Sequence, residues 1–171
     1  VLNNARQNGK SQLAGDLNAN PNLKTQSAKV ILNEVVSRNP SKIAGQQEIF
    51  GEKADYVLAN PNGISVEGGG FINTPSASLV VGKPQVAEGK LKGYDTTGDK
   101  ALSTNGKITS SGDIDLIAPQ VTVGGQTTTS EGVNVITGKN KIAREDNGTL
   151  KITTAERKGQ VLDGKVVGSI Q

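Results

Sequence analysis

The feature that most constrains this 171-residue chain is how often its β-prone segments are interrupted. Val30-Ile31-Leu32, Tyr56-Val57-Leu58, Ile64-Ser65-Val66, Leu79-Val80-Val81, Ile114 to Ile117 and Val121-Thr122-Val123 are rich in β-branched residues, and Gly, Asn or Pro soon breaks each one. Leu150 to Thr153, Val161-Leu162 and Val166-Val167 continue the series. A helix is conceivable only over Val30 to Arg38, and its β-branched content argues against one. The pattern predicts an all-β chain.

The runs also repeat. Leu13-Ala14-Gly15 returns as Ile43-Ala44-Gly45, a shift of 30, and Val30-Ile31-Leu32-Asn33 returns as Val57-Leu58-Ala59-Asn60, a shift of 27. Val57-Leu58-Ala59 with Pro61 and Ile64-Ser65-Val66 is echoed by Leu116-Ile117-Ala118, Pro119 and Val121-Thr122-Val123, about two periods later. Self-similarity in the ~20–45-residue range of structural repeats predicts a solenoid whose coils stack like strand on like strand. Leu, Ile, Val and Phe make up about a quarter of the residues, above the ~20% at which disorder is the default. Only Phe50, Phe71, Tyr56 and Tyr94 are aromatic, which suits a narrow coil of small β-branched side chains better than a β-sandwich core. A parallel β-helix is the expected fold.

Composition excludes much chemistry. With no Cys or His, disulfides, thiolate or imidazole metal sites and His-activated nucleophiles are unavailable. No catalytic residue, cofactor or metal is expected. The net charge of +3 comes from interspersed signs without a basic stripe, so nucleic acid is not an expected partner. No run reaches the ~18 apolar residues of a membrane-spanning helix. Zero cysteine is compatible with export, and the start at Val1 is read as that of a processed chain or fragment.

Asn20-Pro21-Asn22-Leu23, Asn39-Pro40-Ser41-Lys42 and Asn60-Pro61-Asn62-Gly63 share an Asn-Pro start. Proline presets φ for the second position of a β-turn, and the preceding Asn side chain can accept backbone N–H groups. Gly63 fits the last position of a type I turn. Asn ladders inside a coil would also satisfy buried backbone groups.

Asn20-Pro21-Asn22-Leu23 and Asn60-Pro61-Asn62-Gly63-Ile64 resemble the paired NPNL and NPNGI motifs of the two-partner-secretion domain of filamentous haemagglutinins, large haemolysins and contact-dependent growth-inhibition toxins. VILNEV (30–35), ADYVLANPNGI (54–64) and GGFINT (69–74) match as well, and the resemblance is dense to about Val123. It implies a right-handed parallel β-helix with side hairpins and a capping N-terminal segment, as one domain over residues 1–171 that lacks part of its cap. It further implies a secretion-targeting and folding-nucleation role, with the POTRA domains of an outer-membrane transporter as partner. The destination would be the bacterial surface or medium, by way of periplasm and outer membrane. There the rest of the exoprotein would meet a host or neighbouring cell. Haemolysin-like members carry two cysteines where Val66 and Gly69 stand, which points toward the adhesin or growth-inhibition branch.

Other constellations read as structure. Asp113 and Asp115 lie two apart on a strand and share a face, expected to be solvated. Gly68-Gly69-Gly70 has neither dinucleotide nor P-loop spacing, and Asn147-Gly148-Thr149 reads as an Asn-Gly turn. Two alternatives to the secretion role are a carbohydrate-active β-helix enzyme of the polysaccharide-lyase kind and a plain adhesin-shaft fragment. The first is poorly supplied with carboxylate clusters and aromatic platforms.

Overall fold

The computed structural model describes residues 1–153 and the strand backbone at 165–166 and 169–170. Strand β1 (Leu2–Asn4) precedes a hairpin of β2 (Gly9–Ser11) and β3 (Gly15–Leu17). The first full coil holds β4 (Val30–Glu34), β5 (Ser41–Ile43) and β6 (Gln46–Gly51); the second holds β7 (Asp55–Ala59) and the long bent β8 (Ile64–Ile72). The third begins with β9 (Ser76–Val80), makes an excursion as β10 (Lys83–Ala87) and β11 (Lys90–Asp95), and returns as β12 (Ala101–Ser110). Next come β13 (Asp113–Ala118), β14 (Gln120–Val123) and β15 (Gln126–Thr129), then β16 (Val133–Thr137) and a second excursion, β17 (Lys141–Arg144) and β18 (Leu150–Ile152). Backbone pairs at β19 (Lys165–Val166) and β20 (Ser169–Ile170) extend the stack. The expected strand at Val161-Leu162 and residue Val167 lie outside the described residues.

All coil-to-coil pairing is parallel, as a solenoid requires and a sandwich does not. One face stacks β4, β7, β9, β13 and β16; the other long face stacks β8, β12 and β14 with β5, β6 and β15. Val30 faces Asp55, Tyr56 faces Ala77, Ser76 faces Asp113 and Ile114 faces Val133, so successive coils advance by 25, 21, 37 and 19 residues. These values correct the repeat lengths read from sequence. The 27-residue echo relates the right strands with a slip of two residues, which preserves the side-chain alternation. The two-period echo is right for Ile64-Ser65-Val66, which reaches Val121-Thr122-Val123 through Leu102-Ser103-Thr104. It is one residue out on the other face, where Leu58 and not Val57 stacks through Leu79 on Leu116. The 30-residue echo is coincidental: Leu13-Ala14-Gly15 lies in and beside the turn of the β2–β3 hairpin, and Ile43 lies in a coil strand. The 37-residue step is long because it contains the β10–β11 excursion. Val30–Glu34 is strand, in agreement with its β-branched content.

Inward side chains form ladders across the coils. Ile64, Leu102 and Val121 make one, and Leu58, Leu79 and Leu116 another; all six are buried in one cluster. The outward face of β7, β9 and β13 is buried too. The four-stranded antiparallel sheet β10-β11-β17-β18 covers it, packing Tyr94 and Ile142 against Val57, Ala59, Val80 and Ile117. This second core explains why apolar residues follow one another without alternation at Tyr56–Ala59, Leu79–Val81 and Leu116–Ala118.

Glycines hold the corner between the two halves of the long face. Gly68, Gly69, Gly106 and Gly125 have φ of +85°, +107°, +75° and +70°. A methyl carbon on Gly69 would collide with the Gly45 carbonyl, and one on Gly125 would collide with the Gly106 carbonyl. Successive coils therefore touch backbone to backbone here, a contact open only to glycine. The Gly68-Gly69-Gly70 run is part of this corner.

Candidate functional site

The Asn60-Pro61-Asn62-Gly63 segment turns the chain from β7 into β8 and closes with a Gly63 N–H to Asn60 C=O bond of 3.3 Å. Asn60 is fully buried, a placement a polar side chain tolerates only when its groups are paired. Its Oδ1 accepts the Asn62 backbone N–H and the Asn62 Nδ2, both at 2.9 Å. Its Nδ2 donates to Asn39 C=O at 2.9 Å and to Ser41 Oγ at 2.8 Å. Asn62 Nδ2 donates to Ser37 C=O at 2.7 Å, and Ser41 N–H donates to Gly63 C=O at 3.0 Å. The turn is thus riveted to the corner of the preceding coil. Ile64 starts β8 as a buried ladder residue.

Asn20-Pro21-Asn22-Leu23 repeats this geometry in a more exposed place. Asn20 Oδ1 accepts the Asn22 N–H at 2.9 Å, and Leu23 N–H donates to Asn20 C=O at 3.2 Å. Asn20 Nδ2 donates to Asn3 C=O at 2.9 Å, and Asn20 N–H donates to Ala5 C=O at 2.8 Å. Each Asn-Pro turn therefore ties a corner to a different neighbour: one to the chain around β1, the other to residues 37–41. The third Asn-Pro pair departs from expectation. Pro40 leads directly into β5, and Asn39 and Ser41 receive Asn60 instead of forming a copy of its turn.

Two other asparagines, not singled out in the sequence, do the same work. Buried Asn4 donates to Ala28 C=O and Glu52 C=O and accepts Ala28 N–H, between 2.8 and 2.9 Å. Asn73, at φ +61°, donates to Ile49 C=O and Gly51 C=O at 2.8 Å. Only its place in GGFINT could have marked it.

The N-terminal hairpin docks through a buried carboxylate. Glu48 accepts Ser11 Oγ at 2.6 Å and the Gln12 and Leu13 N–H groups at 2.9 Å. Burial pushes the Glu48 pKa up, but the Ser11 hydroxyl and the two N–H groups outweigh it, leaving the pKa below its ordinary 4.5. A depressed carboxylate stabilises the fold above its unfolded pKa and loses that contribution as pH falls through the folded value. Amide exchange at Gly9–Leu17 should therefore accelerate, relative to the coil strands, as pH drops below that range.

Asp113 and Asp115 do share a face, but the expectation that it is solvated fails at Asp115, while Asp113 stays partly exposed. The side sheet covers this face, and Asp115 is buried, accepting Ser78 Oγ at 2.8 Å and Asn134 Nδ2 at 2.9 Å. Asp55 lies close by and receives Arg144 of β17 at 3.0 Å. Burial raises the Asp55 pKa against the opposing pull of Arg144; burial and neighbouring Asp115 raise that of Asp113. This grouping is a structural tie between side sheet and coil, and no carboxylate cluster suited to a metal occurs among the described residues. Arg144→Met should destabilise the protein by about 1–3 kcal/mol in a urea melt, chiefly by stranding Asp55.

The family model of the TPS secretion domain, the domain of two-partner secretion, matches residues 1–171. The chain belongs to this family. Over 183 aligned residues it is 50% identical to a hemolysin of Serratia marcescens, with all of the chain but 11% of the hemolysin covered. It is 42% identical to Toxin CdiA of Yersinia pestis over 83% of the chain and 4% of the toxin. The crystal structure of a filamentous hemagglutinin secretion domain superposes with a TM-score of 0.80 at 30% identity, covering 98% of this chain and 60% of that one. TPS secretion domains are targeting domains, and their exoproteins leave the cell with a transporter partner for the surface or the medium. The identities overturn one expectation. Lack of cysteine at Val66 and Gly69 does not separate this chain from haemolysins, since the hemolysin identity exceeds that of the CdiA toxin.

Proposed function

We propose that this TPS secretion domain is recognised by the periplasmic POTRA domains of an outer-membrane transporter and folds coil by coil as it emerges from the pore. The observation that carries the reading is the buried Asn60, whose side chain fastens the β7–β8 corner to the corner before it. In a repeat fold each formed coil is the template for the next, so the first such joint is the slow, decisive one. Asn20, Pro21, Asn22 and Leu23 fix the entry to the stack, and Asn60, Pro61, Asn62, Gly63 and Ile64 fix the joint between its first two full coils. At ~0.05–0.15 kcal/mol per residue, folding 171 residues yields on the order of 10–25 kcal/mol, enough to bias passage outward without nucleotide hydrolysis. The domain spans about a tenth or less of its curated relatives, and its parent is a large exoprotein of the adhesin, growth-inhibition toxin or hemolysin kind. It reaches the surface through periplasm and outer membrane.

The test is a titration of the purified domain against the isolated POTRA region of its transporter. Saturable binding is the expected result. No binding, together with unimpaired secretion after POTRA deletion, would overturn the reading.

A further inference from the structure

The sequence contains four Asn-Gly steps: Asn8-Gly9, Asn62-Gly63, Asn105-Gly106 and Asn147-Gly148. Such a step can modify itself. The glycine backbone nitrogen attacks the asparagine Cγ, a new C–N bond closes a five-membered succinimide, and Nδ2 departs as ammonia. Water then opens the ring at either carbonyl, giving aspartate or isoaspartate. Glycine permits this because no Cβ hinders the approach.

The fold treats the four steps differently. Gly63 N–H is held by Asn60 C=O at 3.3 Å, and Asn62 Nδ2 is engaged by Ser37 and Asn60. Gly148 N–H is held by Glu145 C=O at 2.9 Å, and Asn147 Oδ1 accepts Thr149 N–H at 3.0 Å. Asn8 Oδ1 is turned across its hairpin to Ala19 N–H at 2.8 Å. At Asn105, by contrast, the glycine nitrogen points at its own asparagine: Gly106 N–H meets Asn105 Oδ1 at 2.9 Å. Asn105 is exposed, so water and base reach it.

We infer that Asn105 is the site at which the folded domain deamidates. The consequence is local and severe, because Gly106 belongs to the glycine corner. A methyl carbon there would stand 3.1 Å from Gly68 N, and Gly125 packs directly on the Gly106 backbone. Isoaspartate adds a methylene to the main chain at this point. The aspartate product instead sets a negative charge opposite Glu67, its partner in the ladder.

The test is peptide mapping of the folded domain during incubation at mildly alkaline pH, beside a sample held in urea. In the folded sample, conversion at Asn105 should outrun that at Asn8, Asn62 and Asn147 by about tenfold or more. At those three the glycine N–H or the asparagine side chain is held by another group that must first let go, whereas Gly106 N–H already lies on the side chain it attacks. In urea the four steps should converge to within a few-fold. Equal or faster conversion at exposed Asn8 or Asn147 in the folded sample would overturn the inference. So would an equally large lead for Asn105 in urea, because the fold would then not be its cause. Asn105→Gln, which closes the ring far less readily, should abolish the fast component; its persistence in that variant would also count against the assignment.

Discussion

Gly69→Ala is expected to destabilise the domain by about 2–5 kcal/mol, read as a lowered urea midpoint with little change in slope. Two costs combine. The residue sits at φ +107°, where a side chain is strained, and its methyl would collide with the Gly45 backbone of the preceding coil. Gly89→Ala separates them. Gly89 has φ +73° with open space around it, so alanine there should cost only the conformational part, about 1–2 kcal/mol. Equal losses at both positions would show that the corner is not packed as tightly as described.

Asn60→Ala is expected to cost about 2–4 kcal/mol, since it strands the Asn62 N–H, the Asn39 carbonyl and the Ser41 hydroxyl around a buried position. Asn20→Ala removes the same turn bond in a more exposed setting, where water replaces it, and should cost less than about 1 kcal/mol. The two motifs thus have one local geometry and unequal energetic weight. Burial sets the difference.

Strand positions on the β7-β9-β13 face and the Asn60 turn were legible in sequence because both are local signals. β-branched runs, and Asn-Pro followed by Gly, write their conformation within a few residues. Coil lengths were not legible. An excursion such as Lys83 to Asp95 stretches one step without altering the strands it separates. The side hairpins were implied by the family resemblance alone. The residues themselves hid the sheet because polar residues, with lysine at several positions, alternate through β11 and β17 and mask the inward Tyr94 and Ile142. Burial of Asp115 follows from that sheet and could not be anticipated without it. The Glu48 clamp was invisible for a different reason: its partners lie 35 to 37 residues away and include two backbone N–H groups. The glycines read in sequence only as breaks between strands, whereas Gly68, Gly106 and Gly125 form one column once the coils are stacked.

We propose that the Asn60 turn promotes secretion by nucleating coil formation. The most direct measurement is the secreted fraction of the whole exoprotein carrying Asn60→Ala and Asn62→Ala together, with POTRA affinity of the same variant domain determined in parallel. The account predicts secretion reduced several-fold with affinity unchanged and the purified domain still folded. Undiminished secretion would contradict it, and lost POTRA affinity would make the turn a recognition element instead of a nucleus.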